Sequence, residues 1–168
     1  ARHPPASLPA ADGQVPRHAL PAAVRLAGVK SHAHAARVPI VYANAHFGRW
    51  RSDLSAVVAR CREPDCPSRS MVELLRPESE DYFVLKPKHS AFFSTTLDTL
   101  LRYLGTEILV VGGFAADICV LFTANDAYLR DLRIVVPADG VASNETADRD
   151  GALVLMRRVL KAETPKVE

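Results

Sequence analysis

Four short, unbroken apolar runs constrain this chain more than any other feature: "VPIVYAN" (38–44), "DYFVL" (81–85), "EILVVGG" (107–113) and "LRIVVP" (132–137). Alternation of apolar and polar residues would mark a strand with one wet face. An unbroken run marks a strand covered on both faces. Between and around the runs lie segments of helical character. Residues 16–36 place Leu20, Val24, Leu26 and Ala27 at helical spacing, with a start near Pro16 or Pro21. Residues 52–61 follow Ser52 as a candidate N-cap, and 94–105 run from Ser94 or Thr95 to a closing Gly105. Residues 116–130 and 145–162 supply two more helices. Covered strands alternating with helices predict an α/β fold: a Rossmann-like three-layer α/β/α domain with a mainly parallel sheet.

The 168 residues suffice for one domain with a proper core, placed here at 13–168. Residues 1–12 hold Pro4, Pro5 and Pro9, which cannot donate ladder hydrogen bonds, and are expected to be irregular. A formal net charge of +2 gives no reason to expect nucleic acid or an anionic membrane as partner. No apolar run approaches the roughly 18 residues that a membrane-spanning helix needs. The three cysteines are an odd, sparse set. Cys61 and Cys66 lie in the polar segment "RCREPDCPSR" with no further metal ligands beside them, so they read as loop thiols. A reducing, cytoplasmic setting is the expectation.

In an open parallel sheet, ligands bind at the carboxyl ends of the strands. "NAHFGRWRSD", "KPKHSAFF" and "GGFAADIC" all fall there. The last ends in Cys119, at the expected opening of a helix, where free backbone N–H groups and the positive end of the helix dipole favour thiolate over thiol. The same N–H groups suit an oxyanion, and Gly112 and Gly113 allow a tight turn from strand to helix. Taken alone, Cys119 reads more readily as a small buried residue than as a nucleophile.

Three blocks widen the pattern. "GGFAADICVLFTANDAYLRDLRIVVPADGVAS" closely resembles the isochorismatase-like cysteine hydrolases, with their Gly-aliphatic-Ala-x-Asp-x-Cys-Val segment and following Thr-Ala-x-Asp-Ala helix. "FVLKPKHSAFFSTTLDTLL" resembles that family's Lys-x-x-x-Ser/Asp-Ala-Phe-x-x-Thr-x-Leu signature, and "RVPIVYANAHFGRWRSD" its second strand and the loop after it. The resemblance spans about residues 12–162. It implies Cys119 as nucleophile, Lys86 as catalytic lysine, a cis peptide between Phe114 and Ala115, and an oxyanion hole made by the Ala115 and Cys119 amides. Lys88 falls two residues late for the lysine and reads as a surface charge, and Asp117 reads as a stabiliser of the helix start.

The resemblance also implies an opening strand that carries a general-base Asp about nine residues before a Pro-Asp-Gly-like turn. The turn is recognisable as "ADG" (11–13), but "ARHPPASLPA" precedes it and holds no Asp or Glu. Neither His3 nor Asp12 is assigned the role. Loss of a general base costs about 10²–10⁴ in rate.

For substrate, Cys119 argues against the vinyl-ether hydrolysis of isochorismatases proper and for attack on a carbonyl-type carbon. The loop Asn44-Ala45-His46 lacks the further histidines of a nicotinamidase metal site, so neither a metal nor a cofactor is expected. The reading is hydrolysis of a C–N bond in a small amide, carbamoyl or ureido compound. Trp50 and Phe92 are candidate pocket walls, and Arg49 or Arg51 a partner for a substrate carboxylate. The resemblance implies a homo-oligomer, dimer or tetramer. The alternative is a non-catalytic relative that binds a small metabolite or a partner subunit.

Overall fold

A computed structural model describes residues 19–45 and 69–167. The elements run α1 (Ala19–Ala35), β1 (Val41–Ala45), α2 (Arg69–Leu74), β2 (Tyr82–Lys86), α3 (Leu97–Tyr103), β3 (Ile108–Val110), β4 (Gly113–Phe114), a π-turn (Ala116–Val120), α4 (Leu121–Tyr128), β5 (Arg133–Val135), β6 (Val141–Ala142) and α5 (Thr146–Val159). The fold is α/β, and every described strand pair is parallel: β1 with β2, β3 with β5, and β4 with β6. Among the described residues these pairs stand as three two-stranded ribbons, with no ladder between β1–β2 and β3–β5. They share one core all the same. Val84 of β2, Ile134 of β5 and Val141 of β6 are buried in a single cluster with Leu101, Val120, Leu153 and Met156, and Val41, Ala43, Leu109 and Val111 pack against it. Full burial of an aliphatic side chain contributes about 1.5–3 kcal/mol.

Several expectations need adjustment. The run 107–113 is two strands, because the chain changes partner at its glycines: β3 pairs with β5, then β4 with β6. Gly113 has φ +123°, a region that strains any L side chain. A Cβ at Gly112 would stand 2.4 Å from a Leu26 methyl, so this glycine admits α1 close against the strand link. The segment after the glycines opens as a π-turn, with the Leu121 N–H bonded to the Ala116 C=O, and becomes α-helical at Leu121. The short strand Val141–Ala142 and the six-residue helix α2 were not foreseen. For α2 a local signal exists in the Arg69–Glu73 pair at i, i+4 spacing.

Helix α1 forms where its periodicity places it, but its buried face is Ala19, Ala22 and Ala23, while Leu20 and Val24 are exposed. Small residues let the helix lie close against Ala142. Helix α3 ends as expected at Gly105, in a left-handed conformation with φ +62°. The Thr106 N–H donates to the Leu101 C=O and the Gly105 N–H to the Arg102 C=O, the paired closure of a Schellman motif. At its start the Thr95 hydroxyl accepts from the Leu97 N–H at 3.1 Å. The expected helix 52–61 and the Pro-rich segment 1–12 lie outside the described residues.

At the far end of α1, Lys30 and His34 reach across to the residues before β2. Lys30 Nζ pairs with Glu78 at 3.2 Å and Asp81 at 3.5 Å, donates to the Arg76 C=O, and stands 5.7 Å from the centre of the Tyr42 ring. His34 places Nε2 2.7 Å from Asp81 and Nδ1 3.1 Å from Glu78. This cluster ties α1 to the β1–β2 ribbon.

Candidate active site

Lys86 is the last residue of β2 and is 5% exposed. Its Nζ donates to Cys119 Sγ at 3.3 Å and to the Lys88 C=O at 3.4 Å. Cys119 sits in the π-turn, half-buried. Two residues 33 apart in sequence, from separate ribbons, therefore meet as an ammonium and a thiol. No carboxylate joins them among the described residues. A buried cation is costly without a counter-charge, and an ammonium at hydrogen-bond distance favours the charged form of a thiol.

The turn around Cys119 is closed by specific bonds. The peptide between Phe114 and Ala115 is cis. The Ile118 and Val120 N–H groups both donate to the Ala115 C=O, at 3.3 and 3.1 Å. The Asp117 N–H donates to Ser143 Oγ at 3.4 Å, and the Ser143 hydroxyl donates back to the Asp117 carboxylate. Ser143 is 1% exposed and follows β6, so this reciprocal pair pins the π-turn to the neighbouring ribbon. The Cys119 amide lies within this π-turn, and Ala115, the residue before it, contributes its carbonyl to the closure of the turn.

The loop after β2 is fastened to α4. The Ser90 hydroxyl donates to the Asp126 carboxylate, the Ala91 N–H donates to Thr123 Oγ1 at 3.0 Å, and the Phe92 N–H donates to Ser90 Oγ at 3.1 Å. The Arg130 guanidinium lies 4.5 Å from the centre of the Phe92 ring and pairs with Asp98 at 2.8 Å. Phe92, expected at the pocket wall, is instead 5% exposed and packed in the core. The apolar ring follows the buried side of the loop, and Phe93 beside it is the exposed one. Lys88 is exposed, in keeping with a surface charge. Trp50, Arg49, Arg51, His46, Cys61 and Cys66 lie outside the described residues.

Ser90, Thr123, Asp126 and Ser143 lie inside the sequence motifs but carry no role in the sequence-based expectations. A local signal was available: Thr123 and Asp126 are polar residues on a face of α4 otherwise formed by Val120, Ala124 and Ala127, all buried. Among the described residues no three His, Cys, Asp or Glu side chains gather as a metal-binding group, and no helix is long and apolar enough to cross a membrane.

Comparison with known proteins identifies a family. The isochorismatase domain family matches residues 16–164. The isochorismatase family protein YaaI of Bacillus subtilis, itself uncharacterized, is 43% identical over 135 residues, which cover 80% of this chain and 74% of the relative. A ureidoacrylate amidohydrolase of Methylorubrum extorquens is 38% identical over 85 residues, half of this chain but only 34% of that enzyme. Among solved structures, the N-carbamoylsarcosine amidase of Thermoplasma acidophilum superposes with a TM-score of 0.72 at 28% identity, covering 92% of this chain and 87% of the amidase. A family match over residues 16–164, with a relative 43% identical over 80% of this chain, places this chain in the isochorismatase family.

Proposed function

We propose that this chain is a cysteine hydrolase cleaving a C–N bond in a small amide, carbamoyl or ureido compound, with Cys119 as nucleophile. The observation that carries the reading is the 3.3 Å contact between Lys86 Nζ and Cys119 Sγ, without a competing carboxylate among the described residues. The names of two similar proteins, an amidohydrolase and an amidase, support the bond type. In this scheme the Cys119 thiolate attacks the carbonyl carbon, and the carbonyl electrons move onto oxygen toward the Ala115 and Cys119 amides. Collapse of the adduct expels the nitrogen, which takes a proton from the Lys86 ammonium. Water then attacks the thioester, the neutral Lys86 amine accepts its proton, and the thiolate departs. The products are a carboxylic or carbamic acid and an amine or ammonia. Substrate selection is assigned to the loop after β1, where Trp50 offers an apolar wall and Arg49 or Arg51 a partner for a carboxylate.

A non-catalytic binding role is the second reading, favoured by the lack of any Asp or Glu before Asp12, where the family resemblance implies a general base. Alkylation of Cys119 against pH separates the two, with Cys61 and Cys66 as internal controls and a panel of small amides assayed alongside. The hydrolase reading expects Cys119 to alkylate faster near neutral pH than either control. It also expects turnover that Cys119→Ala abolishes. A thiol no more reactive than the two controls, with no turnover, leaves only the non-catalytic binding role.

A further inference from the structure

Lys86 and Cys119 belong to different ribbons, and among the described residues no backbone ladder connects β2 to β4. Beside the shared core, side-chain bonds link the two parts and set the ammonium and the thiol 3.3 Å apart. The bonds that cross the gap come from one helical stripe. Cys119, Thr123, Asp126 and Arg130 follow at intervals of four, three and four residues, the spacing of a single helix face. Each meets a successive part of the loop that leaves β2: Cys119 faces Lys86, Thr123 takes the Ala91 N–H, Asp126 takes the Ser90 hydroxyl, and Arg130 covers Phe92 and pairs with Asp98. Ser90 and Thr123 are 6% and 7% exposed, so water does not readily replace what their hydroxyls hold.

We propose that Thr123 and Asp126 are positioning residues for the reactive pair: by fastening Ala91 and Ser90 to the helix that carries Cys119, they hold the Lys86 ammonium against the thiol. This inference rests on the Lys86–Cys119 pairing invoked for hydrolysis. Thr123 bonds the Ala91 N–H and Asp126 the Ser90 hydroxyl, so both act through the loop. The arrangement converts a separation between two ribbons into a separation along one rigid element, which a short loop with two anchored residues can hold.

The test is the pH profile of Cys119 alkylation in Thr123→Val, Thr123→Ser, Ser90→Ala and Lys86→Met. Thr123→Val keeps the shape and removes the acceptor, while Thr123→Ser keeps the hydroxyl. Lys86→Met removes the ammonium, and its alkylation rate at neutral pH is expected to fall about tenfold. Thr123→Val is expected to fall about fivefold, the equivalent of one lost hydrogen bond, and Ser90→Ala, which loses its bonds to Asp126 and to the Phe92 N–H, at least as far. Thr123→Ser should stay within about twofold of the parent, since it keeps that bond. Ile134→Val, a core change in β5, controls for lost stability and should leave the profile unchanged.

If Thr123→Val and Ser90→Ala melt lower yet keep the parent profile, the two residues are merely structural and the proposal is overturned. If Lys86→Met itself leaves the profile unchanged, the pairing fails and the positioning role falls with it. A shift in Lys86→Met without one in the clasp variants leaves the hydrolase reading standing and removes only this inference.

Discussion

Two lysines in this molecule are largely withdrawn from water, and their surroundings differ in kind. The Lys30 side chain is 11% exposed and surrounded by partners: Glu78, Asp81, the Arg76 carbonyl and the Tyr42 ring, with His34 bonded to the same two carboxylates. Burial alone would lower its pKa, but the hydrogen bonds to Tyr42 and Glu78 and the charges of Tyr42 and Asp81 outweigh that and hold it above the ordinary value. Lys86 is at least as deeply buried and meets one carbonyl and one thiol. The first lysine is satisfied and fixes α1 to the β1–β2 ribbon. The second lacks a carboxylate among the described residues, which leaves its charge available to a neighbouring sulfur. Saturation marks a structural cation, and a shortage of counter-charge marks one free for chemistry.

Exchanging the two lysines for methionine, one at a time, breaks the comparison most directly. Lys86→Met is expected to lower kcat/KM for a small amide by about 10²–10⁴, the range for a lost proton-transfer group. Its melting temperature should hold or rise, because a buried charge with few partners gives way to an apolar chain. Lys30→Met should do the reverse. It removes one partner of Asp81, whose side chain is 2% exposed and keeps His34 and the Glu78 N–H, and is expected to destabilise the protein by about 2 kcal/mol while Cys119 reactivity is unchanged. Denaturant melts and alkylation rates on both variants decide the matter. Equal effects on both readouts would dissolve the distinction.

The pH dependence of stability sharpens it. Burial alone would raise the pKa of Asp81, but the Glu78 N–H, the His34 ring and the charges of Lys30 and His34 prevail and hold it below the ordinary 3.8. A carboxylate with a depressed pKa contributes stability that is present above its unfolded value and lost as pH falls through its folded value. Thermal melts of the parent should therefore decline more steeply below about pH 4 than those of Asp81→Asn, which no longer titrates there. Identical slopes would remove Asp81 from the account. The smallest effect is expected at Arg130, whose side chain is 35% exposed. Arg130→Ala should cost about 1 kcal/mol through the lost stack on Phe92 and the lost pair with Asp98. A much larger loss in a urea melt would mean that this end of the clasp carries more of the fold than its exposure suggests.

Much of the architecture was legible from local pattern. Unbroken apolar runs marked the buried parallel strands, and Gly105 marked the end of α3. The order of the Lys86 and Cys119 motifs pointed to both residues before any distance was known. The strands and the helix end follow from backbone geometry over a few residues, in strand and helix periods and the left-handed region open to glycine, whereas Lys86 and Cys119 were named by the family resemblance of their motifs.

What only tertiary structure decided were meetings between distant residues. Leu20 and Val24 had the right spacing for a core face, yet the alanines of α1 are the buried ones, because close approach to β6 favours small side chains. Phe92 looked like a pocket wall and is core, since the loop that carries it is drawn onto α4. Ser143 meets Asp117 across 26 residues, and Ser90 meets Asp126 across 36. A hydroxyl carries no periodic signature of its partner. Its bond is set by where the packed core brings the two segments, and that is a property of the whole chain.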